Sequence, residues 1–232
     1  MQRAHAVRHY TPVAALDSES RATFIWRTYG HVALAILGFA AIESYLFGNG
    51  MAEAMAVRML GVNWLLILGA FMIVGWLAGH VAHRVDSRPL QYLALAGFVV
   101  AQAIIFVPLL YIAMRTQPAV IESAAGVTLL GTAGLTAVAF ITRKDFSFLR
   151  GILVWGGILA LIAIASSVLF GFAMGTWFSV AMIGFAGAAV LYDTSNVLHH
   201  YPEDRYVAAA LELFGSIALM FWYVLRLFMS RD

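Results

Sequence analysis

The sequence predicts an all-α integral membrane protein with seven transmembrane helices. The 232-residue chain is 62% hydrophobic and only 11% charged, against about 45–50% and 25% in soluble domains. So few charges cannot cover a water-facing surface. The apolar residues also gather into seven stretches, each with the roughly 20 residues a helix needs to cross about 30 Å of hydrocarbon.

In chain order the spans are predicted at residues 24–47, 62–83, 92–114, 119–142, 149–171, 177–198 and 207–228. Short connections join them, so residues 24–232 read as one compact bundle. Before it lies a hydrophilic tail, residues 1–23, with Arg3, His5, Arg8, His9, Asp17, Glu19 and Arg21. No short apolar core with a small-residue cleavage site precedes the first span, so the tail is expected to be retained. No lipidation motif is present. No internal repeat appears, which argues against an inverted-repeat transporter.

Basic residues orient the bundle. With a cytosolic N-terminus, ten of them fall inside (Arg3, Arg8, Arg21, Arg27, Arg84, Arg88, Arg143, Lys144, Arg150 and Arg205) and four outside (Arg58, Arg115, Arg226 and Arg231). Seven spans then put the C-terminus outside. Trp26, Tyr29, Tyr92 and Tyr201 on one side and Trp64, Tyr111 and Trp177 on the other match the aromatic belts of a bilayer. Gly126, Gly131, Gly134, Gly184 and Gly187 are expected to let helices approach closely.

Several functions are disfavoured. The chain has no cysteine, which removes disulfides, iron–sulfur ligation and thiol catalysis. The cations are scattered, which argues against nucleic acid as a partner. Neither a nucleophile elbow nor a His-Glu-x-x-His helix is present, so an enzyme is a poor reading and no resident cofactor is expected. His80 and His83 are three apart on one helical face, a weak metal signal without a third ligand.

Charges inside spans are costly, about 2.5–3.5 kcal/mol at the membrane centre on insertion scales, and four carboxylates need a reason. Glu43 and Glu122 sit near the outer ends of their spans and are expected to reach water. Asp193 and Glu212 each lie about five residues, or 7–8 Å at 1.5 Å per residue, from the inner end of spans six and seven. The short loop between those spans makes them antiparallel and sets both carboxylates at one level. A close pair would share a proton and titrate as one unit, a pH sensor or cation site; alternatively both reach cytosolic water or Arg205. Glu212, Ser216 and Tyr223 put polar groups on span seven, which places it at the centre of the bundle, away from lipid. The Arg143-Lys144-Asp145 loop is expected to anchor on anionic lipid, with Asp145 meeting local backbone donors or an arginine.

Two segments resemble the Bax-inhibitor family of membrane proteins. One is the loop from Phe140 to Leu149, with Thr142-Arg143-Lys144-Asp145-Phe146-Ser147. The other is Tyr192-Asp193-Thr194, followed by Tyr201 and by Ala208-Ala209-Ala210-Leu211. The resemblance covers nearly the whole membrane region. It implies six helices around a central seventh and a pH-sensitive calcium leak governed by an acidic pair. Asp193 matches the first member; Ser216 stands where the calcium-conducting members carry aspartate, and Glu212, one turn earlier, could supply that carboxylate. Calcium would be a transient occupant. The chain's end, Met229-Ser230-Arg231-Asp232, and its polar last span also resemble the YccA branch, which lacks the full pair and modulates the membrane protease FtsH. The expected function is therefore a cation (calcium or proton) leak gated by Asp193, Glu212 and Ser216; the alternative is a non-conducting modulator of an FtsH-type protease or of a stress response.

Overall fold

The computed structural model describes residues 11–230, and among these the chain forms eight α-helices. They are α1 (Ser18–Gly48), α2 (Met51–Leu60), α3 (Trp64–Arg84), α4 (Arg88–Thr116), α5 (Ala119–Thr142), α6 (Leu149–Phe170), α7 (Gly175–His199) and α8 (Tyr206–Met229). All but α2 are long and apolar enough to cross a membrane, so the seven expected spans are present. Arg3, His5, Arg8, His9, Arg231 and Asp232 lie outside the described residues.

Helix α1 starts at Ser18, ahead of the apolar run, because the Asp17 carboxylate accepts from the backbone N–H groups of Glu19 and Ser20. Such a cap satisfies donors that the first turn leaves open. The ten-residue α2 was not expected. It is too short to span, and it begins after Gly50 in a left-handed conformation (φ 70°) that glycine adopts without steric cost. Ala52 and Ala56 bury its inner face against Leu46 and Val107. Glu53 ties it to α4 by accepting from Arg115 at 2.6 Å and from Tyr111 at 3.1 Å.

Helix α8 is the centre, as the polar groups on it predict. Five of the other six spans (α1, α3, α4, α5 and α7) pack directly on it, and α6 leans on α7 and α3. Its Ala208, Ala209 and Ala210 are at most 1% exposed, and small residues of this kind let helices approach in lipid. Of the glycines singled out in sequence, a Cβ at Gly187 would press Leu135 at 3.3 Å and one at Gly131 would meet Met220 at 3.7 Å. Gly126, Gly134 and Gly184 have open space instead, while Gly156 meets Phe185 at 3.0 Å. Close packing at glycine is therefore real but sits at partly different positions.

One end of the bundle gathers the N-terminal segment with the α3–α4, α5–α6 and α7–α8 loops, and is here named the N-terminal face. The Val13 N–H donates to the Tyr201 carbonyl at 2.9 Å, and Arg21 reaches the Leu198 carbonyl at 3.3 Å. Arg205, 4% exposed, donates to the Val85 carbonyl at 2.7 Å and to Asp86 at 2.5 Å. In the α5–α6 loop Asp145 accepts from the Ser147 N–H at 2.9 Å, and its second oxygen meets His200 Nε2 at 3.0 Å rather than an arginine. The backbone bond from Ser147, with His200 beside it, holds the Asp145 carboxyl below the usual range. Its hold on the loop is thus present at neutral pH and lost as pH falls through the carboxylate range. The loop is also pinned to protein, since the Phe146 N–H donates to Ser195 Oγ at 2.9 Å, while Arg143 and Lys144 stay exposed.

Candidate functional site

The last turns of α7 carry a buried polar run, Asp193-Thr194-Ser195-Asn196, each residue at most 9% exposed. Buried polar groups need partners, and these find them on three elements. Tyr29 on α1 donates to Thr194 Oγ1 at 3.4 Å, Ser195 holds the α5–α6 loop, and Ser216 on α8 donates to Asp193 Oδ2 at 2.6 Å.

One turn before Ser216, Glu212 uses both oxygens. Oε1 lies 2.6 Å from His83 Nε2 on α3, and Oε2 accepts from the Tyr201 hydroxyl at 2.6 Å. The His83 and Tyr201 rings stack at 5.8 Å and 20°, and Phe24 packs on Tyr201 at 6.3 Å. The His83 and Glu212 side chains remain 36% exposed, whereas Tyr201 is 6% exposed. Burial, reinforced by the Glu212 carboxylate, pushes the Tyr201 phenol well above its ordinary value, so it stays a donor. The result is a half-open His83–Glu212–Tyr201 cluster directly below a closed Asp193–Ser216 pair.

Asp193 on α7 stands level with Ser216, one turn of α8 beyond Glu212, so the two carboxylates are not at one level as expected and do not bond to one another. Asp193 takes the neutral hydroxyl of Ser216, and Glu212 takes His83 and Tyr201. Neither is met by Arg205, which serves Val85 and Asp86. His83 and Tyr201 were missed as site residues. Tyr201 is not part of an aromatic belt, because it points inward to Glu212; Trp26 and Trp177, at 80% and 85% exposure, do face outward. His80 does not join His83 but packs on Trp76 at 5.6 Å. Among the described residues no three of His, Cys, Asp and Glu cluster as metal ligands.

Of the other two intramembrane carboxylates, Glu122 is exposed as expected. Glu43 is not: it is 7% exposed and neither oxygen has a partner. Counting residues from a helix end gave its depth but not its direction, and it faces the bundle.

Residues 21–232 match the family described as inhibitor of apoptosis-promoting Bax1. Protein Lifeguard 4 of Arabidopsis thaliana is 27% identical over 234 residues, which cover 97% of this chain and 92% of that one. Bax inhibitor 1 of Schizosaccharomyces pombe is 28% identical over 236 residues, 95% of this chain and 81% of the other. The modulator of FtsH protease YccA of Escherichia coli is 34% identical over 116 residues, 49% of this chain and 52% of that one. The match spans about half the length of the bacterial relatives. The two eukaryotic relatives align over nearly the whole of this chain, and the family match takes in α2 to α8 and nearly all of α1. This chain belongs to the Bax inhibitor family.

Proposed function

We propose that this protein is a pH-governed leak pathway for small cations, with Asp193, Glu212 and Ser216 as its ion-sensing groups and His83 as their counter-charge. The observation that carries the reading is the His83–Glu212 contact of 2.6 Å, half open at the N-terminal face and one turn of α8 below Asp193 and Ser216. A cation entering a bundle must exchange water for oxygen ligands, and Glu212 followed by Asp193 offers carboxylates in sequence. Two carboxylates one turn of α8 apart cannot both ionise cheaply. Protonation of one of them closes the inner end, and deprotonation leaves a charge that can draw a cation in. Leak should therefore rise with pH. The titratable groups around this centre are Asp193, Tyr29, Tyr192 and Tyr201, besides the pair itself. Calcium uptake by proteoliposomes of the pure protein, measured across pH, is expected to increase from acidic to alkaline buffer. A wild type that carries no calcium or protons at any pH overturns the reading.

One observation favours a second reading. Asp193 is satisfied by the neutral Ser216, so the site lacks a directly bonded acidic pair. The YccA relative is named a modulator of FtsH protease. A non-conducting modulator of a protease of that type, gripped through the hydrophilic residues 1–23, would need no open path. Absence of flux together with co-purification of such a protease would establish this role.

In either case we place the N-terminal face in the cytosol of a bacterial inner membrane and the C-terminus outside. The ten-to-four distribution of basic residues supports the orientation, and a relative named an inner membrane protein supports the location. Alkaline phosphatase fused after Asp232 should be active and a green fluorescent reporter dark; a bright fluorescent fusion reverses the topology.

A further inference from the structure

We propose that the cavity beside Glu43 binds a lipophilic amine, its ammonium paired with the Glu43 carboxylate and its apolar body among Phe39, Phe214 and Phe221. The site lies in the half of the bundle nearer α2, away from the carboxylates of α7 and α8, and stands independently of the leak reading. The cavity measures about 290 Å³ and is walled by α1, α4, α5 and α8, close to the lower size of small-molecule pockets. Its lining is hydrocarbon except for Glu43 and Thr128. Both are almost wholly buried, 7% and 2% exposed, and neither Glu43 oxygen nor Thr128 Oγ1 has a hydrogen-bond partner.

Three orphan oxygens in an apolar pocket ask for donors. A primary ammonium carries three and no acceptor. The three phenylalanines meet edge to face around Phe39, at 6.4 Å from each of the other two, and ring faces attract cations. A metal ion is a worse occupant, because one carboxylate and one hydroxyl fall short of the six to eight oxygens that calcium takes, or so, in proteins. An anion would find no cation in the lining. A lipid tail would fill the volume and leave all three oxygens unbonded. Access also fits an amphiphile: α1 and α5 both line the cavity and touch through the Tyr29 and Phe140 rings, but their backbones do not pack closely, which leaves room for lateral entry between them. A molecule already dissolved in the bilayer enters there without crossing the polar ends.

The test uses radiolabelled cyclooctylamine and the full chain in lipid nanodiscs, with binding to empty nanodiscs subtracted. Saturable binding is expected, with cyclooctanol competing about tenfold more weakly because it lacks the charge. Glu43→Gln should weaken binding about tenfold or more. Ala125→Phe, which fills the cavity and keeps Glu43, should abolish it, while Asp193→Asn should leave it unchanged. Thermal unfolding within a few degrees of the wild type shows that each variant is folded, and Ala125→Phe decides the matter if Glu43→Gln is not. Equal binding by Glu43→Gln and wild type, or equal competition by the amine and the alcohol, would show an apolar cleft that merely holds lipid and would overturn the proposal.

Discussion

His83→Ala is expected to raise cation leak at acidic pH to the level the wild type reaches only at neutral or higher pH. In the wild type His83 holds Glu212 across 2.6 Å. A hydrogen bond to a charged group contributes about 1.5–3 kcal/mol, but both side chains are 36% exposed and water screens them. The lower end applies, and 1.4 kcal/mol is about tenfold. Proteoliposome flux at acidic pH should therefore rise about tenfold in His83→Ala, with the pH profile flattened. Glu212→Gln should flatten the profile too, but at low flux, because it removes the charge that draws the cation. Asp193→Asn should lower flux at every pH. The opposite signs expected for His83→Ala and Glu212→Gln separate a gate from a packing defect, which would move both alike. If the two variants keep the wild-type pH profile, the His83–Glu212 contact is structural only.

What could be read in advance follows from how strongly a residue departs from its surroundings. Asp193 and Glu212 stood out because a carboxylate in an apolar run has few reasons to be there. Their nearness followed from rise per residue and a short loop, but not their level, since Asp193 pairs with Ser216, one turn of α8 beyond Glu212. Their partners did not, because contacts across a bundle depend on rotation about each helix axis. His83 looked like an ordinary interfacial histidine, yet it turns toward a residue on α8 and meets Glu212. Tyr201 was taken for a belt residue; the Val13–Tyr201 backbone bond and Phe24 draw it inward. Glu43 misled for the same reason, since depth near a span end does not tell whether the side chain faces water or α8. Helix α2 was hidden because ten mixed residues, with Glu53 and Arg58 among them, show no long apolar run. The central position of α8 was legible, because its polar groups would have been costly against lipid on any outer helix.

Ser216→Asp should convert the site into the acidic pair that the sequence resemblance implies for a calcium leak. The Ser216 hydroxyl lies 2.6 Å from Asp193 Oδ2, so a carboxylate there stands within bonding reach of the first. Two carboxylates this close cannot both ionise cheaply, and they hold one proton between them. While the proton stays, it bridges α7 and α8, and the path is shut. When it leaves, the two carboxylates face each other, repel, and become a better site for a divalent cation than one carboxylate and a hydroxyl. Two measurements follow. Calcium flux in proteoliposomes should rise about tenfold over the wild type at the alkaline end of the range, the change that 1.4 kcal/mol of added site affinity supplies. The folded variant binds more protons than its unfolded chain, so its stability must fall as pH rises, and its Tm should drop relative to the wild type between acidic and alkaline buffer. A Tm that falls with flux unchanged would place two carboxylates together without a conducting path, and the protease-modulator reading would then stand. A Tm independent of pH would mean that the new side chain turns away from Asp193.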